Sequence, residues 1–187
     1  MRSDQRGNVL IETALTLPLL FTLSAGSFAV GLNLDRYLQA QQLSRVSASI
    51  LSDRPAEHRD EARIEQLIER SAAGTELALA RRRTTVILSS IGLATAGRNR
   101  NLPVVQHQFR VGRYERAESH LGTPSRIADG GHVADYENDP DAVVKLPPGV
   151  VLPQGTTIHA AEVIHDAGDL SLPGLLRTPR IYARTFF

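Results

Sequence analysis

The chain has 187 residues and a formal net charge of +1, from 21 Lys and Arg against 20 Asp and Glu. This near-neutral balance gives no excess positive charge for a nucleic-acid surface, and nucleic acid is not expected among its partners. The absence of cysteine excludes disulfide bonds and any cysteine-ligated metal site.

The most informative stretch is an apolar run from Gly7 to Leu34, in which Glu12 is the only charged residue. An α-helix rises about 1.5 Å per residue, so roughly 20 apolar residues cross the hydrocarbon core of a bilayer. The run therefore predicts a transmembrane segment over residues 8–34. An unpaired charge at the centre of such a segment costs about 2.5–3.5 kcal/mol, so Glu12 is expected to find a partner.

The N-terminal end allows three interpretations. Arg2 and Arg6 precede the apolar run, and positive charge favours keeping this end in the cytoplasm. A secretory signal peptide would be cut at a small-residue site such as residues 24–26, but a carboxylate at Glu12 is atypical of its apolar region. An uncleaved signal anchor would tolerate Glu12 near the cytoplasmic interface. The third interpretation depends on the five-residue spacing between Gly7 and Glu12.

That spacing resembles a class III prepilin signal, in which a short charged leader ends in Gly and Glu is the fifth residue after it. In that family a prepilin peptidase cuts after the Gly on the cytoplasmic face. The resemblance implies that residues 1–7 are a leader, that Gly7 and Asn8 flank the cleavage site and that Asn8 becomes the new N-terminus. Glu12 would then pair with the new amine of a neighbouring subunit and help to set the stagger between subunits.

Further elements resemble the TadE-like pilins of tight-adherence (Tad, type IVc pilus) systems. They are the sequences ETAL at residues 12–15, LPLL at residues 17–20 and LPGLL at residues 172–176. The resemblance implies a minor pilin or pseudopilin that takes part in pilus assembly or initiation. Its partners would be other pilin subunits, the prepilin peptidase and the inner-membrane assembly platform. It would cross the bacterial inner membrane once, with a cytoplasmic N-terminus and a periplasmic C-terminal domain, and could leave the membrane in an extracellular pilus.

The apolar run is expected to continue into a long helix over residues 8–52. Pro18 lies inside it and removes one backbone hydrogen bond, which predicts a kink. Beyond Asp35 the apolar residues keep helical spacing and form a stripe that the rest of the chain should cover. The residues of this stripe are Leu34, Leu38, Leu43, Val46 and Ile50, with Tyr37 and Ala40 between them.

Residues 53–187 are predicted to form an extracytoplasmic α+β domain. Its first element is a helix over residues 56–73, with an apolar stripe and with Gly74 as its end. Four strands are predicted at residues 84–91, 104–113, 156–165 and 180–187. The expected fold class is α+β and pilin-like, with the long N-terminal helix packed on a small antiparallel sheet of about four strands.

The second strand, residues 104–113, alternates apolar and polar residues. The alternation predicts one half-buried face and one solvated face. The buried face would carry Val105, His107, Phe109 and Val111, and the solvated face Gln106, Gln108 and Arg110. The segment 114–153 has no periodicity and is expected to be a functional or mobile loop.

Metal sites receive little support from the sequence. The acidic residues Asp135, Glu137, Asp139 and Asp141 alternate along the loop but lack the pattern of a calcium-binding EF-hand. A solvated acidic loop is therefore preferred. Two further candidates are His58 with Glu61, three residues apart on a helix, and His159 with His165 on one strand face beside Asp166.

No nucleophile elbow or catalytic triad can be recognised, so we predict no enzyme activity, no metal and no cofactor. Two other classes stay open. One is an uncleaved single-pass membrane protein whose outer domain binds a ligand or partner in an envelope or secretion complex. The weaker one is a membrane-anchored metalloenzyme. The leucines at 172, 175 and 176 are expected either to face a membrane or neighbouring subunit, or to fold back onto the long helix.

Overall fold

A computed structural model describes residues 4–53, 61–79, 82–168 and 180–187, with side chains from residue 11 onward. Over these residues the elements in chain order are helix α1 (Asp4–Ser52), helix α2 (Glu61–Ala72), strand β1 (Thr84–Leu93), strand β2 (Pro103–Gly112), a 3-10 turn (Pro140–Ala142), strand β3 (Thr157–His165) and strand β4 (Ile181–Phe186). The predicted α+β class is confirmed, and each predicted strand is present within one to two residues of its expected bounds. The predicted first turn of α2 and the leucines at 172, 175 and 176 lie outside the described residues.

The four strands form one antiparallel sheet in the order β2-β1-β3-β4. β1 is central and pairs on one side with β2, from Thr85 opposite Gly112 to Leu93 opposite Pro103. On its other side it pairs with β3, and β4 extends the sheet beyond β3. β1 is buried along nearly its whole length because both faces of the sheet are covered.

The second half of α1, together with α2, covers one face of the sheet. α2 is amphipathic, and its buried residues Ile64 and Ile68 are one turn apart on the face turned to the core. The core here contains Leu43, Leu51, Ile64, Ile68, Val86, Leu88, Val111 and Val163. α2 ends at Ala72, and Gly74 follows with φ +80°, a left-handed conformation that favours glycine after a helix end.

The long segment between β2 and β3 covers the opposite face of the sheet. It buries a second apolar cluster that includes Ile91, Val105, Leu121, Val133, Val144 and Leu152. Isolated backbone bridges attach the segment to β2, at Val104 with Val143 and at His107 with His132. The segment 114–153 is therefore a third layer of the domain, although it has almost no regular secondary structure.

A β-bulge in the pairing of β1 with β2 makes one prediction about β2 wrong. Ser90 lies opposite His107 but the next residue, Ile91, lies opposite Val105, which leaves Gln106 as the extra residue. The bulge reverses the alternation of side chains along β2. Val105 therefore packs under the loop, whereas Val111 packs under the helices.

The predicted solvated face of β2 is also wrong at Gln108. This side chain is buried, and its amide nitrogen donates to Ser89 Oγ at 3.2 Å and to the Gly122 carbonyl at 3.1 Å. The loop that covers this face supplies the second of these acceptors. The Gln108 amide thus finds partners inside the protein, as a buried polar group must.

Candidate functional site: the N-terminal helix

The first half of α1 exposes an apolar surface on all sides. From Ile11 to Phe28 every residue except Gly26 is exposed. Those with more than half of their surface open include Ile11, Leu15, Leu19, Leu20, Phe21, Leu23 and Phe28. Leaving a large apolar side chain in water instead of burying it forfeits about 1.5–3 kcal/mol. Within the described residues, α1 is the one helix long and apolar enough to cross a membrane.

Glu12 lies in this exposed apolar segment. Among the side chains that the structure describes, none lies within ion-pair or hydrogen-bond distance of its carboxylate. Helical geometry places Glu12 on the same face as Leu19, Leu23 and Val30, which are 7, 11 and 18 residues further along. One carboxylate therefore interrupts a face that is otherwise apolar, so a partner that covers this face must bring a donor or a cation to Glu12.

The predicted cleavage site lies in the backbone of α1, which begins at Asp4, four residues before Asn8. The side chains of Gly7 and Asn8 are outside the described part of the chain. Cleavage between Gly7 and Asn8 stays a prediction, as does the pairing of Glu12 with a neighbouring amine.

α1 continues without a break through Pro18. Two threonine hydroxyls on this stretch donate to carbonyls one turn back, Thr16 to Glu12 at 2.8 Å and Thr22 to Pro18 at 2.8 Å. Such bonds satisfy the hydroxyl groups inside the helix, so Thr16 and Thr22 need no water. This is the arrangement that an apolar environment requires.

Two glycines in α1, Gly26 and Gly31, were not singled out by the sequence reasoning. No neighbouring atom lies within 4 Å of the position that a Cβ would occupy at either residue. A glycine inside a helix costs roughly 0.5–1 kcal/mol relative to alanine, and the packing of this chain gives no reason for that cost. Small residues on a helix surface do let another helix approach closely.

The face of α1 that meets the sheet is built mainly of small residues. Its buried members are Ala40, Leu43, Ser44, Ser47, Ala48 and Leu51. On this face Ser44 Oγ lies 2.6 Å from Thr185 Oγ1 of β4. Small side chains let the helix backbone lie close to the sheet, and this favours the small face over the leucine-rich one.

The predicted apolar stripe of α1 is therefore only partly correct. Leu43 and Ala40 are buried, but Leu34 and Leu38 keep 57% and 54% of their surface exposed and Val46 is also open. The exposed leucines extend the apolar surface of the first half of α1 into the domain. A surface for another helix or lipid thus continues past the end of the predicted transmembrane segment.

Arg36 marks the point at which α1 enters the domain. It is 7% exposed, and its guanidinium lies 3.5 Å from a carboxylate oxygen of Glu76, in the segment that follows α2. Because the Glu76 side chain is 47% exposed, the pair contributes little to stability. Its value is positional, since it shows which part of the domain lies beside the end of the apolar run.

The residues considered as metal ligands have other partners. His159 Nδ1 lies 3.2 Å from Ser90 Oγ, and His165 Nδ1 lies 2.9 Å from Thr84 Oγ1. Over the described residues no three His, Asp or Glu side chains come together in a way that could hold a metal ion. Of the pair His58 and Glu61, His58 is outside those residues.

The acidic residues of the loop anchor turns. Asp139 caps the 3-10 turn by accepting from the Asp141 amide, and it also accepts from the amide and the hydroxyl of Ser125 at 2.7 and 3.0 Å. Partial burial opposes ionisation of Asp139, but these hydrogen bonds outweigh it and lower the pKa of the carboxyl. Glu137 accepts from the Thr95 hydroxyl in the same way.

A fully buried carboxylate, Glu162, lies at the centre of β3 and faces the loop layer. One of its oxygens accepts from the Tyr182 hydroxyl at 2.6 Å and from the His120 amide at 2.9 Å, and the other accepts from the Ser119 hydroxyl. Burial, together with the bond to Glu162, raises the pKa of Tyr182 well above its ordinary value. This cluster pins the start of the loop to the sheet.

Comparison with protein-family models, with curated proteins and with solved structures finds no match to this chain. The functional argument therefore depends on the residues and geometry of α1 itself.

Proposed function

We propose that this chain is a single-pass membrane protein that is assembled through its N-terminal helix as a minor pilin or pseudopilin of a Tad (type IVc) pilus. The observation that carries the proposal is the two-part nature of α1. Its first half is exposed, apolar and interrupted by one carboxylate, and its second half is the support on which a small sheet packs. A helix of this kind can be held in lipid and then transferred to a bundle of like helices.

Glu12 is the group that the proposal assigns to assembly. In lipid its carboxylate is costly, and a partner subunit that presents a cation at the right height removes the cost. Cleavage after Gly7 would create such a cation, the α-amine of Asn8. A subunit displaced along the filament would leave the charge unpaired, so the pair would select one stagger.

The cleavage step is tested by mass spectrometry of the N-terminal peptide of the protein purified from membranes. A chain that begins at Asn8 supports the proposal. A chain that still begins at Met1, in cells with an active prepilin peptidase, rejects cleavage and favours the uncleaved single-pass protein of an envelope or secretion complex.

The pairing step is tested with Glu12→Gln and Glu12→Ala, which remove the charge with and without change of shape. Both variants should insert into the membrane as well as the parent chain, and both should be lost from sheared filaments by tenfold or more. Glu65→Gln is the matched control, because it removes an exposed carboxylate on α2, far from the apolar segment. Unchanged incorporation of both Glu12 variants would reject the pairing.

The glycines offer a separate test of close helix packing. Gly31→Leu adds a bulky side chain where this chain leaves open space, so the monomer should fold and insert normally. Incorporation into filaments should fall if another helix lies against this surface. Val30→Leu, at the next position, is the control for added apolar volume on a neighbouring face.

A further inference from the structure

Three arginines, Arg82, Arg110 and Arg113, surround a concave pocket of about 470 Å³ at one end of the sheet. Tyr114 and Glu115 complete most of its wall. The pocket has no part in the assembly role proposed for α1.

The backbone around this pocket is held in place by local bonds. Thr85 Oγ1 accepts from the Tyr114 amide at 2.9 Å and donates to the Tyr114 carbonyl at 3.3 Å. Gly112 has φ +108°, and a Cβ there would collide with the carbonyl of Thr84. The chain therefore leaves β2 by one route, which sets the positions of Arg110 and Arg113 on either side of the turn.

The three arginines lack counter-charges within the protein. Among the residues that the structure describes, no carboxylate lies within ion-pair distance of Arg82, Arg110 or Arg113. Glu115 is the one acidic residue on the wall, so the lining has an excess of two positive charges. Guanidinium groups present paired donors that match the oxygens of a phosphate group.

The pocket lies on the side of the domain next to the apolar half of α1. Leu79 packs beside Gly112, with its Cδ2 3.1 Å from the position of a Cβ there. Three residues before Leu79, Glu76 contacts Arg36, which is the second residue after the apolar run ends at Leu34. If α1 spans a bilayer, the pocket is close to the headgroup layer.

We propose that this pocket binds a phosphate group, presented to it by the headgroup of an anionic phospholipid. The attraction would hold the domain against the membrane surface before the subunit leaves the bilayer, and it should weaken as ionic strength rises. This inference depends on the membrane-spanning part of the proposed function but not on cleavage or on Glu12. It therefore stands or falls independently of the pilus experiments.

The test uses the full chain in nanodiscs and the modification of arginine by phenylglyoxal, followed by peptide mass spectrometry. The discs contain phosphatidylcholine alone, or phosphatidylcholine with phosphatidylglycerol. A third sample adds inorganic phosphate to phosphatidylcholine discs. Arg98 and Arg126, both exposed, serve as controls within the same molecule.

Phosphatidylglycerol should slow the modification of Arg82, Arg110 and Arg113 at least threefold and leave Arg98 and Arg126 unchanged. Protection by inorganic phosphate alone would support the phosphate site and identify a soluble anion as the source. Equal modification of the three arginines in all samples overturns the proposal. Protection that extends equally to Arg98 and Arg126 also overturns it, since a general surface effect would then explain the result.

A variant pair separates the site from the general charge of the chain. Arg110→Gln with Arg113→Gln should abolish the protection of Arg82, whereas Arg98→Gln with Arg126→Gln, which removes the same charge, should preserve it. Protection of Arg82 that survives the first pair of substitutions contradicts a shared site. Peptide-resolved hydrogen exchange in β1 and β3 checks that each variant is folded.

Discussion

The buried carboxylate of Glu162 allows a quantitative prediction about what holds the loop layer on the sheet. One oxygen of Glu162 accepts from Tyr182 and His120, but Ser119 is the one donor to the other oxygen among the described residues. Tyr182→Phe should therefore leave one donor on its oxygen, and Ser119→Ala should leave the other oxygen with none. We expect both variants to destabilise the domain and Ser119→Ala to do so more.

The magnitude follows from the charge and burial of the acceptor. A hydrogen bond to a charged group contributes about 1.5–3 kcal/mol, and a buried acceptor left without a donor keeps its full desolvation penalty. Tyr182→Phe should lie near the lower end of this range and Ser119→Ala near the upper end. Since 1.4 kcal/mol is a factor of ten, amides of β3 should exchange roughly ten- to a hundredfold faster in the variants.

The assay is hydrogen–deuterium exchange of β3 peptides of the full chain in a neutral detergent. Tyr114→Phe is the matched control, because the Tyr114 hydroxyl has no hydrogen-bond partner among the described residues. Ser71→Ala controls for loss of a serine, since its hydroxyl bonds only to the Leu67 carbonyl in α2. The reasoning is refuted if Ser119→Ala and Tyr182→Phe exchange no faster than these controls, or if Tyr182→Phe has clearly the larger effect.

Two further predictions concern the loop layer. Because hydrogen bonds lower the pKa of Asp139 below its ordinary value of 3.8, its contribution to stability is present above that value and is lost as the pH falls through the lowered pKa. Thermal unfolding should show Asp139→Asn destabilised at pH 7, with a gap from the parent chain that closes in acid; a pH-independent gap would contradict this. Gly97→Ala should destabilise more than Gly149→Ala in the same assay. Both glycines have positive φ, but only at Gly97 would a Cβ meet another residue, the carbonyl of Glu137. Equal losses would show that the close contact is unimportant.

Periodicity determined the parts of the fold that depend on neighbours in sequence. The length of α1 and the types of all four strands could be predicted, because a period of 3.6 or 2 is a local property. The exposed apolar run and the isolated Glu12 were also visible, since composition alone identifies a charge within a membrane-length segment. The same reasoning located Gly7 and Asn8 by spacing, and those assignments stay predictions.

The choice of which face of α1 meets the sheet could not be predicted from hydrophobicity. The leucine-rich stripe was the natural candidate, yet Leu34 and Leu38 are open and the face with Ala40, Ser44 and Ala48 is buried. Close approach of a helix to a sheet depends on the shapes of both surfaces, and the sheet surface is assembled from strands more than 30 residues away. Serine on that face can be buried because β4 provides Thr185 as its partner.

Three further features were decided by tertiary structure alone. The bulge at Gln106 depends on how β1 and β2 align, and it changes the face on which Val105 lies. The loop layer depends on apolar residues with no period, which are recognised only by the sheet that they cover. The arginine pocket brings Arg82 beside Arg110 and Arg113, some 30 residues away in sequence, through the pairing of two strands. The amino-acid sequence by itself determined an apolar helix with one carboxylate and the four strands that follow it, because these are local patterns. Their contacts were settled only by folding, because each depends on surfaces from distant parts of the chain.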